Sequence, residues 1–476
     1  MAVVPNTLSP SQVVEALTNM RQSEEEKALG KAREALIAAR NAYYMVLKQE
    51  EDGGVNGCSI ALSDCARLYE DSERRLRRRS TEAASSMDVR MWLSAALTNH
   101  QTCIEGLRRG NVVPPATSLA TAAVLREALA LHSLVATGND RTKLNSTNPG
   151  AGLMISWHSS KSKVDIVVAQ DGSGNYKTIN EALAALGKWN RSNRRLVVYV
   201  KSGTYKEYVR ITVKNIMLVG DGIDKTIVTG SRSVPDGYST LSSATFAVTG
   251  DNFWARDMTF ENTAGPGKHQ AVALMVASDR SIFYRCSFRG YQDTLLAHSL
   301  RQFYRDCEIH GTIDFIFGNA AVVLQNCDIY VRRPLPHQAN LITAQGRDDP
   351  HMNTGISVHG GRVRAARELE AAKNEFRSYL GRPWKKYSRT VFLKTDLDGI
   401  IQPEGWARWS GDFALETLFY GEYKNTGEGA ATGRRVKWPG VHVMADAKEA
   451  APFTVEWFLE GREWIGEAGV PFWSGL

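Results

Sequence analysis

Phe283-Tyr-Arg-Cys-Ser-Phe288, Phe303-Tyr-Arg-Asp-Cys-Glu-Ile309 and Val323-Leu-Gln-Asn-Cys-Asp-Ile329 line up on their cysteines, at 286, 307 and 327, giving intervals of 21 and 20 residues. A repeat of roughly 20–50 residues marks a solenoid. Here the repeated unit is β-branched and aromatic, which predicts a parallel β-helix rather than an array of helices. Outward from the repeat the same character holds, as in Val164-Asp-Ile-Val-Val168, Arg195-Leu-Val-Val-Tyr-Val200 and Ile216-Met-Leu-Val-Gly220, each bounded by Gly, Asn or Asp. The β-helix is therefore expected to run over residues 164–476.

The register has a chemical consequence, because residues one coil apart lie about 4.8 Å from each other across the sheet. Gly290-Tyr-Gln-Asp293 and Gly311-Thr-Ile-Asp314 are in register 21 residues apart, so Asp293 and Asp314 are predicted to stack. Two carboxyls at that spacing in a partly dry groove do not both ionise easily, and one of them is kept protonated. The pair thus offers a nucleophile and an acid. Gln292 adjoins the first aspartate and Gln270 lies close to one coil earlier, where their amides can donate to an oxyanion. Arg382, in Gly381-Arg-Pro-Trp384, is placed to pair with one aspartate and hold it ionised. The competing reading is an ordinary polar ladder, but Phe315, Ile316 and Phe317 follow Asp314 directly, and an idle carboxylate is costly in such surroundings. By the same arithmetic Cys307 and Cys327 fall on neighbouring coils about 5 Å apart, a spacing that permits a disulfide.

Upstream the period changes. Apolar residues recur at three- and four-residue steps through residues 32–46, 60–76, 89–107 and 119–134, with breaks at Glu51-Asp-Gly-Gly54 and Arg109-Gly-Asn111. This predicts an all-α four-helix bundle over residues 1–137. A Ser-, Asn-, Gly- and Lys-rich linker occupies 138–163.

The chain has 476 residues, 43% of them hydrophobic and 23% charged, with a net charge of +7. That size predicts two domains. The positive balance favours polyanions without choosing among nucleic acid, membrane and acidic polysaccharide. The cluster Arg74-Arg-Leu-Arg-Arg-Arg79 closes a helical pattern and reads as a solvated helix face rather than a nucleic-acid patch. No run of about 18 apolar residues is evident, so no membrane-spanning helix is expected. Gly172-Ser-Gly174 lacks the third glycine of a dinucleotide fingerprint, and P-loop, H-E-x-x-H and G-x-S-x-G patterns are missing. No metal site and no cofactor are predicted. His298 and His310 flank the aspartates in sequence, but strand alternation gives them surface or core roles. Met1-Ala-Val-Val-Pro-Asn6 lacks the character of a secretory signal, which taken literally predicts an intracellular protein. A Cys307–Cys327 bridge predicts an oxidising compartment instead.

Gly203-Thr-Tyr-Lys-Glu207, Gln270-Ala-Val-Ala-Leu274, Gly290-Tyr-Gln-Asp-Thr-Leu295, Asp314-Phe-Ile-Phe-Gly-Asn-Ala320 and Leu380-Gly-Arg-Pro-Trp384 resemble, in order, the signature blocks of plant pectin methylesterases. The resemblance implies a right-handed parallel β-helix that hydrolyses the methyl esters of polygalacturonate, with methyl-esterified homogalacturonan as substrate. It implies that Asp314 is the nucleophile, Asp293 the acid and then base, and Gln292 the transition-state stabiliser. Thr240 and Gln270 are implied to bind substrate, Arg382 to orient Asp314, and Trp384 to line the sugar groove. It further implies the Cys307–Cys327 bridge.

Residues 88–99, Asp-Val-Arg-Met-Trp-Leu-Ser-Ala-Ala-Leu-Thr-Asn, leading to Thr102-Cys103, resemble the inhibitor-like pro-region of the longer plant enzymes. In that family Cys65 pairs with Cys103, leaving Cys58 over. The usual first hairpin is not recognisable, so the N-terminus is read as incomplete. The resemblance also implies secretion to the plant cell wall, a monomer, and inhibitor proteins and a processing protease as partners. Departures accompany the match. Only Arg141-Thr-Lys-Leu144 stands where a dibasic processing site is common, while Leu296 replaces a frequent aromatic residue and Met275 a common arginine, changes expected to tune substrate preference. Asn145 and Asn190 begin glycosylation sequons. Two readings compete with the esterase. Carboxylates about 5–5.5 Å apart also suit a retaining glycosidase, and a non-catalytic pectin-binding or inhibitor protein would use the bundle instead.

Overall fold

The computed structural model describes residues 10–53, 59–78, 84–136, 152–158, 162–189 and 194–476. Two compact units divide between Lys143 and Leu144.

The first unit contains four long helices, Pro10–Gly53, Ser59–Arg78, Ser86–Arg109 and Thr121–Ala136, and a short turn of helix at Ala116–Leu119. Each long helix packs on two others. The first extends well beyond the predicted 32–46, because its buried stripe of Glu25, Ala28, Ala32, Leu36, Ala39 and Tyr43 is built largely of small residues, which carry little apolar signal. Ser86–Arg109 starts at a capping box in which Ser85 and Asp88 each satisfy the other's backbone N–H. Residues 91–100 are wholly buried there, and Asn99 Nδ2 donates to Leu68 O at 3.1 Å and Ser72 Oγ at 2.9 Å. Cys65 and Cys103 are joined across two of the helices. Cys58 and Arg79 lie outside the described residues, as do both sequons and most of the predicted linker.

One expectation needs correction in this unit. The arginine cluster is not a plain solvated face: Arg75 is fully buried, with Nε 2.8 Å from Asp71 Oδ2, Arg74 pairs with the same carboxylate, and Arg77 pairs with Glu73. In addition, Ala116–Val135 has the length and mean hydropathy (1.3) of a membrane span. The polypeptide breaks at Ala120 and packs into the bundle through Leu125, Ala128 and Leu129, while His132 Nδ1 meets Glu25 Oε1 at 2.8 Å.

The second unit is a parallel β-helix of three sheets, with eleven, seven and eight strands, all of whose pairings are parallel. The cysteine-bearing repeats are successive coils. Phe283 pairs with Tyr304, and Tyr304 with Leu324; one strand further round the coil, Phe288 pairs with Ile309 and Ile309 with Ile329. Inward side chains therefore stack on their own kind. Phe283 lies over Tyr304 with ring centroids 4.8 Å apart and planes 6° from parallel, and Phe260 over Phe288 at 5.9 Å and 11°. The helix Ile179–Leu186, capped by Thr178 and Glu181, contributes Ile179, Ala182 and Leu186 to the same core.

The coils turn at corners, and many of the corner residues adopt left-handed backbone. One corner is formed by Asn215, Asn252, Arg280 and Leu300 (φ +60°, +59°, +57°, +73°), the next by Asp257, Arg285, Asp306 and Asn326 (φ +57°, +51°, +53°, +54°), and the third includes Asp293 and Asp314 (φ +65°, +50°). Asn and Asp tolerate this region better than other residues with a Cβ. Neighbouring corners bond to one another, with Asn252 Nδ2 donating to Asn215 Oδ1 at 2.9 Å and Asn326 Nδ2 to Asp306 Oδ1 at 2.7 Å.

The Cys307–Cys327 disulfide is not formed: Cys286, Cys307 and Cys327 are free buried thiols. They sit one per coil, just past the second corner, pointing into the core. Side chains that project in parallel keep their Cβ atoms a coil rise apart, ~4.8 Å, whereas a disulfide draws Cβ atoms to about 3.8 Å. The spacing rule tested only the backbone. The Cys307 thiol donates instead to Arg305 O at 3.3 Å, and burial pushes its pKa well up. Alkylation of the denatured, unreduced protein is expected to label Cys286, Cys307 and Cys327 and to spare Cys65 and Cys103. A cross-linked peptide joining residues 307 and 327 would refute the three-thiol ladder.

Candidate active site

The seven-stranded sheet builds the site. In its strands Leu274, Leu295 and Ile316 are paired in register, and Ile316 is continued by Thr343 and Gly381. Asp293 and Asp314 stand two residues before Leu295 and Ile316, at the corner leading into those strands. The backbone there is laddered: Asp293 N donates to Ile313 O and Thr312 N to Tyr291 O, both at 3.0 Å. The two aspartates therefore occupy equivalent places on adjacent coils.

Corner aspartates elsewhere are ordinary turn formers, and comparison with them shows what is special here. Asp257 and Asp306 serve the second corner with Arg285 and Asn326, whereas Asp293 and Asp314 are 7% and 6% exposed. Asp314 is flanked by the fully buried Phe315 and Ile316. Arg382 follows Gly381, two coils beyond Ile316, and its side chain reaches back to Asp314. It donates Nε to Asp314 Oδ1 at 2.8 Å and Nη2 to Oδ2 at 2.6 Å, a two-point ion pair. Burial raises the Asp314 pKa above the ordinary aspartate value, and Arg382 opposes that rise without cancelling it. The guanidinium thus limits the cost of an ionised Asp314 rather than guaranteeing ionisation.

Gln292 and Gln270 are half-buried and close in space, since Ala271 N donates to Gln292 O at 3.2 Å. Gln292 directly precedes Asp293 in the chain, and strict register pairs Gln270 with Tyr291 on the neighbouring coil. Thr240 lies in the 231–243 segment, tied to Gln270 through Val234 N, which donates to Gln270 O at 3.0 Å. Trp384 packs on Phe317 with centroids 6.0 Å apart, and a Cβ at Gly346 would lie 2.9 Å from its ring, so glycine there lets the indole approach the backbone closely. Met275, Leu296 and Phe317 pair across adjacent strands on the outer face of this sheet, giving the site an apolar floor. His298 is buried beside Ser299, while His310 stacks on Tyr330 at 4.7 Å on a different sheet. Neither histidine is aligned with the aspartate corner.

Two contributors escaped the sequence reading. Arg332 donates to Gly290 O at 3.0 Å and Tyr291 OH at 2.7 Å, with its guanidinium 3.7 Å from the Tyr291 ring centre, and so fixes the corner that carries Gln292 and Asp293. Its signal was available, because residue 332 falls one coil after Thr312 in the 20-residue register that pairs Gly311 with Val331. Trp409 lies 4.5 Å from the Arg382 guanidinium, on a stretch with no repeat to count from. Among the described residues no His, Cys, Asp and Glu cluster suited to a metal ion is present.

A family model described as pectinesterase matches residues 165–462, and one described as plant invertase/pectin methylesterase inhibitor matches residues 4–135. The chain is 52% identical to a probable pectinesterase/pectinesterase inhibitor 36 of Arabidopsis thaliana, covering 97% of this chain and 96% of that one. It is 50% identical to pectinesterase 2 of Citrus sinensis, over 87% and 82% of the two chains. Among solved structures, pectin methylesterase from carrot is 52% identical, with a TM-score of 0.66, covering 67% of this chain and 100% of its own. A pectin methylesterase in complex with a hexasaccharide is 25% identical, with a TM-score of 0.52, over 63% and 97%.

Replacing Arg382 by alanine leaves burial as the unopposed influence on Asp314. Losing an adjacent opposite charge disfavours the ionised form, so the Asp314 midpoint is expected to move up. Carboxyl chemical-shift titration reads this directly, and an unchanged midpoint would contradict the opposition described.

Proposed function

The chain belongs to the pectinesterase family, enzymes that hydrolyse a carboxylic ester of pectin, and from that premise we propose that Asp314 and Asp293 divide the reaction between them. Asp314, aligned by Arg382, attacks the carbonyl carbon of a galacturonate methyl ester. The Gln292 and Gln270 amides donate to the oxyanion that forms, where fixed donors are most effective. Collapse breaks the bond to the methoxy oxygen, which takes the proton of Asp293 and leaves as methanol. The resulting acyl-enzyme joins the sugar carboxyl to Asp314. Asp293, now a carboxylate, removes a proton from water, and the oxygen of that water attacks the acyl carbon. Asp314 is released as a carboxylate and the polysaccharide gains a carboxylic acid group. Nucleophile and proton both come from the pair, so the steps balance without a cofactor.

The observation that carries this reading is the two-point Arg382–Asp314 pair beside a stacked, equally buried Asp293. It gives two chemically similar groups different surroundings, as a nucleophile and an acid require. Thr240 and Trp384 complete the proposed sugar groove, with methyl-esterified homogalacturonan as substrate. The domain reading is a catalytic unit over residues 164–476, a linker at 138–163 and an inhibitor-like pro-region at 1–137. Secretion to the cell wall, a role in wall modification, action as a monomer, and inhibitor proteins and a processing protease as partners belong to the same reading. The disulfide in the first unit supports an oxidising compartment.

Asp314→Ala is expected to lower methanol release from methylated pectin by several orders of magnitude, and Gln292→Ala to lower kcat by about 10²–10³. Full methanol release by Asp314→Ala would overturn the assignment of roles. A parallel reducing-sugar assay is expected to stay flat, since an esterase creates no chain ends; a rise would favour a glycosidase.

A further inference from the structure

Near the N-terminal end of the β-helix, Arg232 lies between two tyrosines, with its guanidinium 3.6 Å from the ring centre of Tyr208 and 4.7 Å from that of Tyr238. We propose that Arg232 is a specificity residue of the groove, which binds the free carboxylate of a galacturonate unit some distance along the chain from the ester being cut. This rests on pectin being what the groove holds.

Three observations carry it. The first is location. The strand Thr226–Gly230 leads into residue 232, Gly230 pairs with Asn262, and Arg289 pairs with Glu261 on the following coil. Arg232 is thus at the same corner as Asp293, two coils earlier, or roughly 10 Å at ~4.8 Å per coil. A short oligosaccharide spans that distance. The backbone is fixed there, because Asn262 Nδ2 donates to Arg232 O at 2.9 Å, and Val234 N donates to the carbonyl of Gln270, beside the oxyanion donors.

The second is an unused charge. Among the described residues no carboxylate or other acceptor engages the Arg232 guanidinium. The acidic residue of its own segment, Asp236, is already taken by Lys268 Nζ and by Ser233 Oγ at 2.6 Å. The contrast with Arg382, Arg332, Arg301 and Arg435 is plain, since each of those is engaged by a carboxylate.

The third is preorganisation. A guanidinium stacked on rings keeps its N–H donors in its own plane, where the rings do not cover them, and that fork matches a carboxylate. Tyr208 is itself held, its OH accepting from Ser231 N at 3.0 Å. An immobilised cation loses little entropy on binding. A neutral methyl ester offers it no charge, so the residue distinguishes a de-esterified unit from an esterified one.

The test titrates the full-length protein with a de-esterified galacturonate oligosaccharide, which carries carboxylates and no cleavable ester, by calorimetry. Arg232→Ala is expected to weaken binding about tenfold, and Arg232→Lys to recover only part of it. With partially esterified pectin KM is expected to rise by a similar factor at unchanged kcat, and with fully esterified pectin both constants stay as in the parent. An equal rise in KM on both pectins, or unchanged oligosaccharide binding, would overturn the proposal. Should Arg232→Ala not fold, Tyr238→Ala decides, because it removes one side of the clamp and leaves the charge; a several-fold loss of oligosaccharide affinity is expected, and no loss refutes the clamp. A parent protein that released no methanol would overturn the esterase reading alone, with the oligosaccharide titration still judging Arg232.

Discussion

The spacing between parallel coils governs everything else in the catalytic unit. Backbone hydrogen bonding holds successive strands at about 4.8 Å, so a side chain on one coil has a fixed neighbour on the next. Inside the helix this produces aromatic stacks such as Phe283 on Tyr304. At the corners, many of which turn through left-handed backbone, it produces ladders of Asn, Asp and Arg. Asp293 and Asp314 belong to that architecture first. Their residue type suits a tight corner, and the same requirement places two carboxyls side by side.

What converts a corner ladder into a reactive pair is unequal support. Burial raises the Asp314 pKa, and a guanidinium from two coils away stands against it. Arg332 does different work, holding the Tyr291 corner and through it the backbone of Gln292 and Asp293. The strength of a carboxylate nucleophile depends on this balance: too much solvation stabilises it, and too little protonates it. An apolar floor of Met275, Leu296 and Phe317 lies next to a charged pair, the arrangement in which fixed charges act most strongly.

The sequence made the β-helix and its aspartate pair legible because both are periodic, and a period can be counted without knowing any distance. Counting failed where the coils lengthen. Arg382 could be nominated from its motif, but its pairing with Asp314 depends on a register no interval reveals, and Trp409 had no marker at all. The predicted Cys307–Cys327 bridge failed for a related reason: the count locates α-carbons, while a disulfide depends on the direction of side chains. In the helical unit the long first helix was underestimated because alanines form its buried stripe, and Ala116–Val135 shows that apolar content does not distinguish a bundle helix from a membrane span. The Cys65–Cys103 pairing had no support in spacing and came from family resemblance.

The strands of the catalytic sheet are unevenly spaced along the chain. From Leu295 to Ile316 is 21 residues, from Ile316 to Thr343 is 27, and from Thr343 to Gly381 is 38, yet each step crosses the same physical distance. Extra residues leave the stack as excursions and return to the same phase. The fold therefore behaves like a reading frame with elastic spacers. An insertion in the excursions alters what surrounds the groove, whereas one residue added between Leu295 and Ile316 would shift Asp314 out of step with Asp293. Structural novelty can accumulate on one side of the aspartate pair while the pair itself stays locked to a fixed count.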